Sequence, residues 1–66
     1  MKIILNGQEK QCLGPSSLQE IIQQFCKSQN HIIAEVNGQI VKNLNWQNTS
    51  LKDGDKIELV SFVGGG

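Results

Sequence analysis

The chain has 66 residues, enough for one domain with a small hydrophobic core. Six lysines balance six acidic residues and arginine is absent, so the sequence has neither the basic patch typical of nucleic-acid binding nor the side chain that grips phosphate with two donors. No apolar run reaches the roughly 20 residues of a membrane span, and no signal peptide precedes the first strand pattern. The small core argues against an enzyme with a buried cleft. The lack of a membrane span and of a signal peptide predicts a cytosolic protein, or a stromal one if the gene is plastid-encoded.

The first twelve residues predict a β-hairpin. Residues 1–5 are rich in strand formers and lead directly into Asn6-Gly7, a dipeptide typical of two-residue hairpin turns. Residues 8–12 can then pair back on the first strand, with one face of the hairpin directed into the core.

A helix is predicted after the break at Gly14-Pro15. Ser17 and Glu20 have the spacing of a capping box, and the helix should run to about Lys27. Its buried stripe is predicted from the spacing of four apolar residues: Leu18, Ile21, Ile22 and Phe25.

The second half of the chain predicts further strands. Residues 32–37 alternate as a strand that ends at an Asn37-Gly38 turn, and residues 40–41 suit a short edge strand. Residues 42–51 are expected to be irregular and anchored by three apolar side chains: Leu44, Trp46 and Leu51. Because one helix covers only one face of a four-stranded sheet, the predicted class is α+β in two layers.

The last predicted strand, residues 57–63, has two apolar faces. Ile57, Leu59 and Val63 alternate on one side. The opposite side carries Glu58, Val60 and Phe62 and is more apolar than a solvated face requires. This second face indicates a surface on which another protein docks.

The chain ends in Gly64-Gly65-Gly66, and we expect residues 1–63 to form the domain and 64–66 a flexible tail. Without Cβ atoms the tail can enter a channel too narrow for side chains, and it reaches roughly 10 Å. The terminal carboxylate is a poor electrophile at neutral pH. Activation as an acyl-adenylate by another protein would allow a sulfur nucleophile to attack the Gly66 carbonyl and leave a thiocarboxylate.

The sequence resembles the sulfur-carrier family of thiazole biosynthesis, which consists of small ubiquitin-like β-grasp proteins. The resemblance implies an α+β fold with a mixed sheet of four to five strands packed on one amphipathic helix. The resemblance covers nearly the whole chain and rests on the residues 1–7, 36–41, Trp46, 52–60 and 62–66. It implies adenylation of Gly66 by an E1-like activating enzyme that binds the ATP, sulfur from a cysteine desulfurase relay, and delivery to a thiazole synthase. The carrier itself would hold no cofactor and would be a monomer when free.

The same resemblance implies a docking site for these partners. In the β-grasp fold the first and last strands lie side by side, which would place Ile4 near Val60 and Phe62 on the exposed sheet face. The partner-binding residues implied are Ile4, Val60, Phe62 and Val63.

Two alternatives remain at this point. The small subunit of molybdopterin synthase resembles this family in fold, tail and chemistry, although its members tend to be longer. A non-covalent β-grasp interaction module would need no reactive tail, so removal of Gly65 and Gly66 would leave its function intact.

Other reactive side chains have ordinary structural explanations. Cys12 and Cys26 form no CxxC motif and are predicted to be reduced core residues. His31 has no evident catalytic partner and is predicted to lie at the surface. The pair Asp53 and Asp55 indicates a turn, since the remainder of a calcium-loop pattern is missing; Ser16 and Ser17 resemble helix caps.

Overall fold

The structure is a computed structural model that describes residues 1–13, 16–26 and 31–61. The elements are β1 (Lys2–Leu5), β2 (Gln8–Gln11), α1 (Leu18–Phe25), β3 (Ile32–Val36), β4 (Gln39–Val41), a 3₁₀ helix (Asn43–Asn48) and β5 (Lys56–Ser61). Within these described ranges, no helix is long and apolar enough to cross a membrane. The predicted boundary between a domain of residues 1–63 and a tail of residues 64–66 lies outside the described residues.

The five strands form one mixed sheet in the order β2-β1-β5-β3-β4. β1 pairs parallel with β5, whereas the other neighbours are antiparallel. The last described strand is therefore the central one, and the predicted contact between the first and last strands is confirmed. So is the predicted class, α+β with a mixed sheet on one amphipathic helix.

Both predicted Asn-Gly turns are present, and their backbone explains the sequence. Asn6 and Gly7 have φ values of 50° and 81°, and Asn37 and Gly38 have values of 52° and 86°. Two successive positive φ angles define the hairpin turn that matches strand twist, and asparagine and glycine tolerate them best. The turns therefore join β1 to β2 and β3 to β4 as tight hairpins.

The helix begins as predicted. The Ser17 backbone N–H donates to Glu20 Oε1 at 2.9 Å, and the Glu20 N–H donates to Ser17 Oγ at 3.2 Å, which completes the capping box. The helix ends earlier than the predicted Lys27, because Cys26 is extended at φ −123° and ψ 132°. Phe25 at this end is 37% exposed and lies only partly in the predicted buried stripe.

The core lies between α1 and the inner face of the sheet. The side chains without exposed surface are Ile3, Leu18, Ile21, Ile22 and Ile57. Burial of each such side chain contributes about 1.5–3 kcal/mol, and five of them are a large share of what so small a domain can bury.

The segment expected to be irregular contains the 3₁₀ helix. Trp46 and Leu51 are buried as predicted, and Trp46 Nε1 donates to the Val41 carbonyl at 2.9 Å. Leu44 was expected to anchor this segment, but its side chain is 84% exposed. A 3₁₀ helix has three residues per turn, so residues two apart point in different directions. Leu44 and Trp46 therefore cannot both face the core.

Candidate functional site

The predicted reactive residues Gly64, Gly65 and Gly66 lie outside the described residues, as do Phe62 and Val63. The structure describes the strand that leads to them. β5 is paired on one side with β3 from Ile57 to Ser61, and Ser61 lies opposite Ile32. On its other side β1 pairs only with the beginning of β5, at Lys56 and Ile57. The end of β5 nearest the tail therefore needs another partner on that side.

Asn6 supplies that partner. Its side-chain Oδ1 accepts a hydrogen bond from the Leu59 N–H at 2.9 Å, and its Nδ2 donates to the Leu59 carbonyl at 3.2 Å. The Asn6 backbone N–H also donates to the Ile57 carbonyl at 2.9 Å. The amide side chain thus continues the β1–β5 ladder where β1 itself has turned away. Asn6 fixes the strand two residues before Ser61.

The sheet surface opposite the helix is called here the outer face, and it carries Ile4, Ile33, Glu35, Ile40, Lys56, Glu58 and Val60. Ile4 and Val60 share this face, as predicted. Their predicted proximity is wrong, because Ile4 lies opposite Lys56 in the β1–β5 register. Val60 is four residues further along β5, or about 13 Å at the usual rise per strand residue. Ile4 and Val60 mark different parts of the outer face.

Val60 has a different apolar neighbour, Ile33, which lies directly opposite it on β3. Val60 is 52% exposed, Ile33 is 42% exposed, and Ile40 on β4 is 68% exposed. The sequence interpretation did not select Ile33 or Ile40 as docking residues. A signal was available, since Ile33 interrupts the polar side of the alternation in residues 32–36. These three residues form an apolar cluster at the β4–β3–β5 side of the outer face.

The carboxylates of the Asp53–Asp55 turn accept hydrogen bonds from amides. Asp53 Oδ1 accepts from the Lys2 N–H at 2.7 Å. Asp55 accepts from the Lys52 N–H at 2.8 Å and from Asn37 Nδ2 at 3.1 Å. These bonds tie the turn to β1 and to the β3–β4 turn. Across the described residues, no three His, Cys, Asp or Glu side chains come together as a possible metal site.

The remaining reactive side chains occupy structural positions. Cys12 is buried, and Cys26 is half-buried against the core. Burial raises the pKa of the Cys26 thiol, which lowers the fraction of the reactive thiolate at neutral pH. His31 is exposed and adopts φ 61° just before β3. Two features of the structure are therefore candidates for function: β5, which leads to the tail, and the outer face of the sheet.

Comparison with known proteins identifies relatives of the whole chain. The model of the ThiS family matches residues 3–66. The chain is 32% identical to the sulfur carrier protein ThiS of Escherichia coli, over the full length of both. It is 29% identical, over all 66 of its residues, to a thiazole synthase of Paramagnetospirillum magneticum, of which it spans 20%.

A solved structure has the same fold. The crystal structure of the thiamine biosynthesis protein ThiS from Geobacter metallireducens matches with a TM-score of 0.83 and 28% identity, and each chain is covered completely. The match confirms the β-grasp architecture predicted from the sequence.

Proposed function

Because the chain belongs to the ThiS family, we propose that it is a sulfur carrier of thiamine biosynthesis whose reactive group is the C-terminal carboxyl of Gly66. The observation that carries the proposal is the family match, which extends from residue 3 through the glycine tail to residue 66. The relative from Escherichia coli, named a sulfur carrier, supports it over the same span. The function is that of a protein cosubstrate on which other enzymes act.

The proposed chemistry has two stages. The Gly66 carboxylate attacks the α-phosphate of ATP on an E1-like activating enzyme, pyrophosphate leaves, and an acyl-adenylate forms. A persulfide supplied by a cysteine desulfurase relay then attacks the Gly66 carbonyl with its outer sulfur, the bond from the carbonyl carbon to the AMP oxygen breaks, and AMP leaves. A thiol attacks the inner sulfur of the acyl disulfide that has formed, makes a new disulfide with it, and so releases the Gly66 thiocarboxylate. The resulting thiocarboxylate delivers sulfur to a thiazole synthase. ATP is bound by the activating enzyme in this scheme, and the carrier holds no cofactor of its own.

The thiazole synthase is proposed as the acceptor because a relative with that name contains a segment similar to this chain. The matched segment is a fifth of the Paramagnetospirillum protein. A carrier-like segment within a synthase would have a high effective concentration at the synthase site. That arrangement supports a partnership between the two activities.

The outer face is proposed as the docking surface for these enzymes, with Val60 on the strand that leads to the tail and Ile4 further away. Phe62 and Val63, which are also proposed to bind partners, lie outside the described residues. Val60 is about half exposed, which is unusual for a valine on a central strand. A charge at this position should weaken partner binding without opening the core. Leu13, which is 99% exposed outside the sheet, offers a matched control. Val60→Asp is expected to reduce adenylation at limiting carrier concentration, whereas Leu13→Asp is expected to leave it unchanged.

The direct test of the carrier function is mass spectrometry of the reacted tail. The chain is incubated with ATP, the activating enzyme and a sulfur source, and the C-terminal fragment is analysed. One oxygen should be replaced by sulfur in that fragment, and deletion of Gly65 and Gly66 should abolish the change completely. Localisation to the fragment is essential because oxidation of Met1 adds nearly the same mass. If the variant without Gly65 and Gly66 kept full function, the chain would be a non-covalent binding module and not a carrier.

The pathway is tested by mixing. The purified thiocarboxylate form is offered separately to a thiazole synthase and to the large subunit of molybdopterin synthase, each with its other substrates. Production of the thiazole product is expected only in the first mixture. Molybdopterin formation without thiazole formation would assign the chain to the other pathway.

A further inference from the structure

The backbone of Ser61 points to the side of β5 that β1 has left. Successive residues of a strand direct their N–H and C=O groups to opposite edges. The Ile57 carbonyl accepts from the Asn6 N–H, and both backbone groups of Leu59 bond to the Asn6 side chain, so these two residues point to the β1 side. Ser61 follows Leu59 by two positions and therefore points the same way.

The hydrogen bonds on the other edge of β5 agree with this direction. The Lys56 N–H donates to Asn37 Oδ1 at 3.0 Å, and the Lys56 carbonyl accepts from the Asn37 N–H at 2.8 Å, both at the β3–β4 turn. Glu58, opposite Glu35 on β3, follows Lys56 by two positions, and Val60 follows two positions later. The even-numbered residues of β5 therefore pair with β3, and the odd-numbered ones face the β1 side.

The ladder on the β1 side ends before Ser61. β1 pairs only with the beginning of β5, and the Asn6 side chain extends that pairing by one step, to Leu59. In the described part of the chain, neither a strand residue nor a side chain continues the ladder as far as Ser61. Ser61 is also exposed, so another polypeptide can reach its N–H and C=O groups.

The sequence at this free edge lacks the usual protection of a sheet edge. Unpaired strand edges attract other strands, and proteins commonly protect them with charged residues or proline. The outermost strand β2 carries Glu9 and Lys10. Residues 60–63 contain neither a charge nor a proline, and Val60 is about half exposed on the outer face beside the edge. This composition favours pairing with an added strand.

The residues that follow Ser61 restrict what binds beside it. Residues 64–66 have no side chains, so the polar groups that they offer a partner are those of the backbone and the terminal carboxylate. Residues 62–66 span at most about 17 Å when extended, so an enzyme whose site holds Gly66 has surface within that distance of Ser61. An extended segment of that enzyme supplies backbone donors and acceptors at the spacing that a strand requires.

We propose that the activating enzyme adds a β-strand to β5 on the side that β1 has left, beginning at Ser61 and continuing along the tail. The inference rests on the proposed function, which supplies this partner. The added strand continues the ladder from the point where the Asn6 side chain ends it. Main-chain hydrogen bonds supply affinity in this mode of binding, and they hold the tail extended toward the site of the enzyme.

The first experiment measures binding of the full chain to the activating enzyme by calorimetry without ATP, so that adenylation is not required. Ser61→Pro removes the N–H on the free side and no bond to β3, so the melting temperature should be kept. Its Kd should rise about tenfold, because one backbone bond is lost and its acceptor in the enzyme is left unpaired.

Two proline variants are the controls. The Cys12 N–H donates to the Met1 carbonyl, so the N–H of the preceding residue, Gln11, points away from the sheet. Gln11→Pro therefore removes an equivalent free N–H at the far edge and should change Kd less than twofold. Val60→Pro removes an N–H that faces β3 and should lower the melting temperature. Equal melting temperatures of Val60→Pro and Ser61→Pro would show that the assigned direction is wrong and would overturn the proposal.

Amide hydrogen exchange of the wild-type chain tests the mode of binding, and it decides the question where Ser61→Pro does not fold. In an added strand, the N–H groups of Ser61 and Val63 face the partner and that of Phe62 faces away. Binding should therefore slow exchange at Ser61 and Val63 at least about tenfold, and at Phe62 much less. Leu59 should be protected in both states, because its N–H is already bonded to Asn6.

Three results overturn the proposal. One is wild-type affinity of a folded Ser61→Pro variant, and another is equal slowing of exchange at residues 61, 62 and 63. The third is slowed exchange with a thiazole synthase alone, because the occupant would then be wrong.

The same samples separate this inference from the proposed function. Thiocarboxylate formation by the wild-type chain without slowed exchange at Ser61 would remove the added strand and leave the carrier function. Alternating protection in the complex without any modification of Gly66 would leave the added strand and remove the carrier function.

Discussion

The side chain of Asn6 should determine how firmly the end of β5 is held, and Asn6→Gly tests this. Glycine keeps the positive φ of 50° without strain, so the variant removes the side-chain amide and leaves the turn. The two hydrogen bonds to Leu59, at 2.9 and 3.2 Å, are then lost. Each such bond contributes about 0.5–1.5 kcal/mol net, so unfolding should become easier by about 1–3 kcal/mol.

Asn37→Gly is the matched control. Asn37 has a similar φ of 52°, also precedes glycine, and makes two side-chain hydrogen bonds, to Asp55 at 3.1 Å and from the Lys56 N–H at 3.0 Å. Asn37→Gly therefore has the same cost in backbone conformational entropy as Asn6→Gly. It acts at the beginning of β5, however, and not near the tail.

The assay combines urea unfolding with amide hydrogen exchange. The single tryptophan, Trp46, is buried and reports unfolding by fluorescence. Both variants should unfold at lower urea concentration than the wild type. Only Asn6→Gly should also speed exchange at Leu59 selectively, beyond the global loss of stability. Equal local protection of Leu59 in the two variants would refute the assigned role of Asn6.

Three further predictions concern single groups. Trp46→Phe leaves the Val41 carbonyl without its 2.9 Å donor and should lower the free energy of unfolding by about 1–3 kcal/mol in thermal denaturation; no change would show that water replaces the indole. Ser17→Ala should cost about 1 kcal/mol through loss of the capping box, measured by circular dichroism, and unchanged helix stability would contradict that role. Burial raises the pKa of the Cys26 thiol, so its alkylation near neutral pH should be slower than that of a free thiol and should accelerate as pH rises; equal rates would be the contrary result.

The elements that follow from local sequence were predictable. The two Asn-Gly hairpins and the Ser17–Glu20 capping box depend on residues within four positions of each other, and all are present. The error at Leu44 also has a local cause, because the polar run around it gives no indication of the three-residue period of a 3₁₀ helix.

The long-range features were not predictable from local patterns. The contact of β1 with β5 was expected through the family resemblance, but its register was not, and so Ile4 was placed too near Val60. The bonds between Asn6 and Leu59 join residues 53 positions apart, and each residue looks ordinary in sequence. The opposition of Glu35 and Glu58 likewise depends on the β3–β5 register. Such pairs become visible only when strand order and register are known.

The central position of β5 has a consequence for synthesis of the chain. β1 is made before its parallel partner β5, so the sheet cannot close until residues 56–61 have left the ribosome. Until then β1 and β3 each have an unpaired edge, and only the two local hairpins can form. Pairing of distant strands is slow compared with local hairpin formation. We therefore expect the nascent chain to depend on late, almost simultaneous assembly of its core, with aggregation as the competing outcome when synthesis stalls before β5.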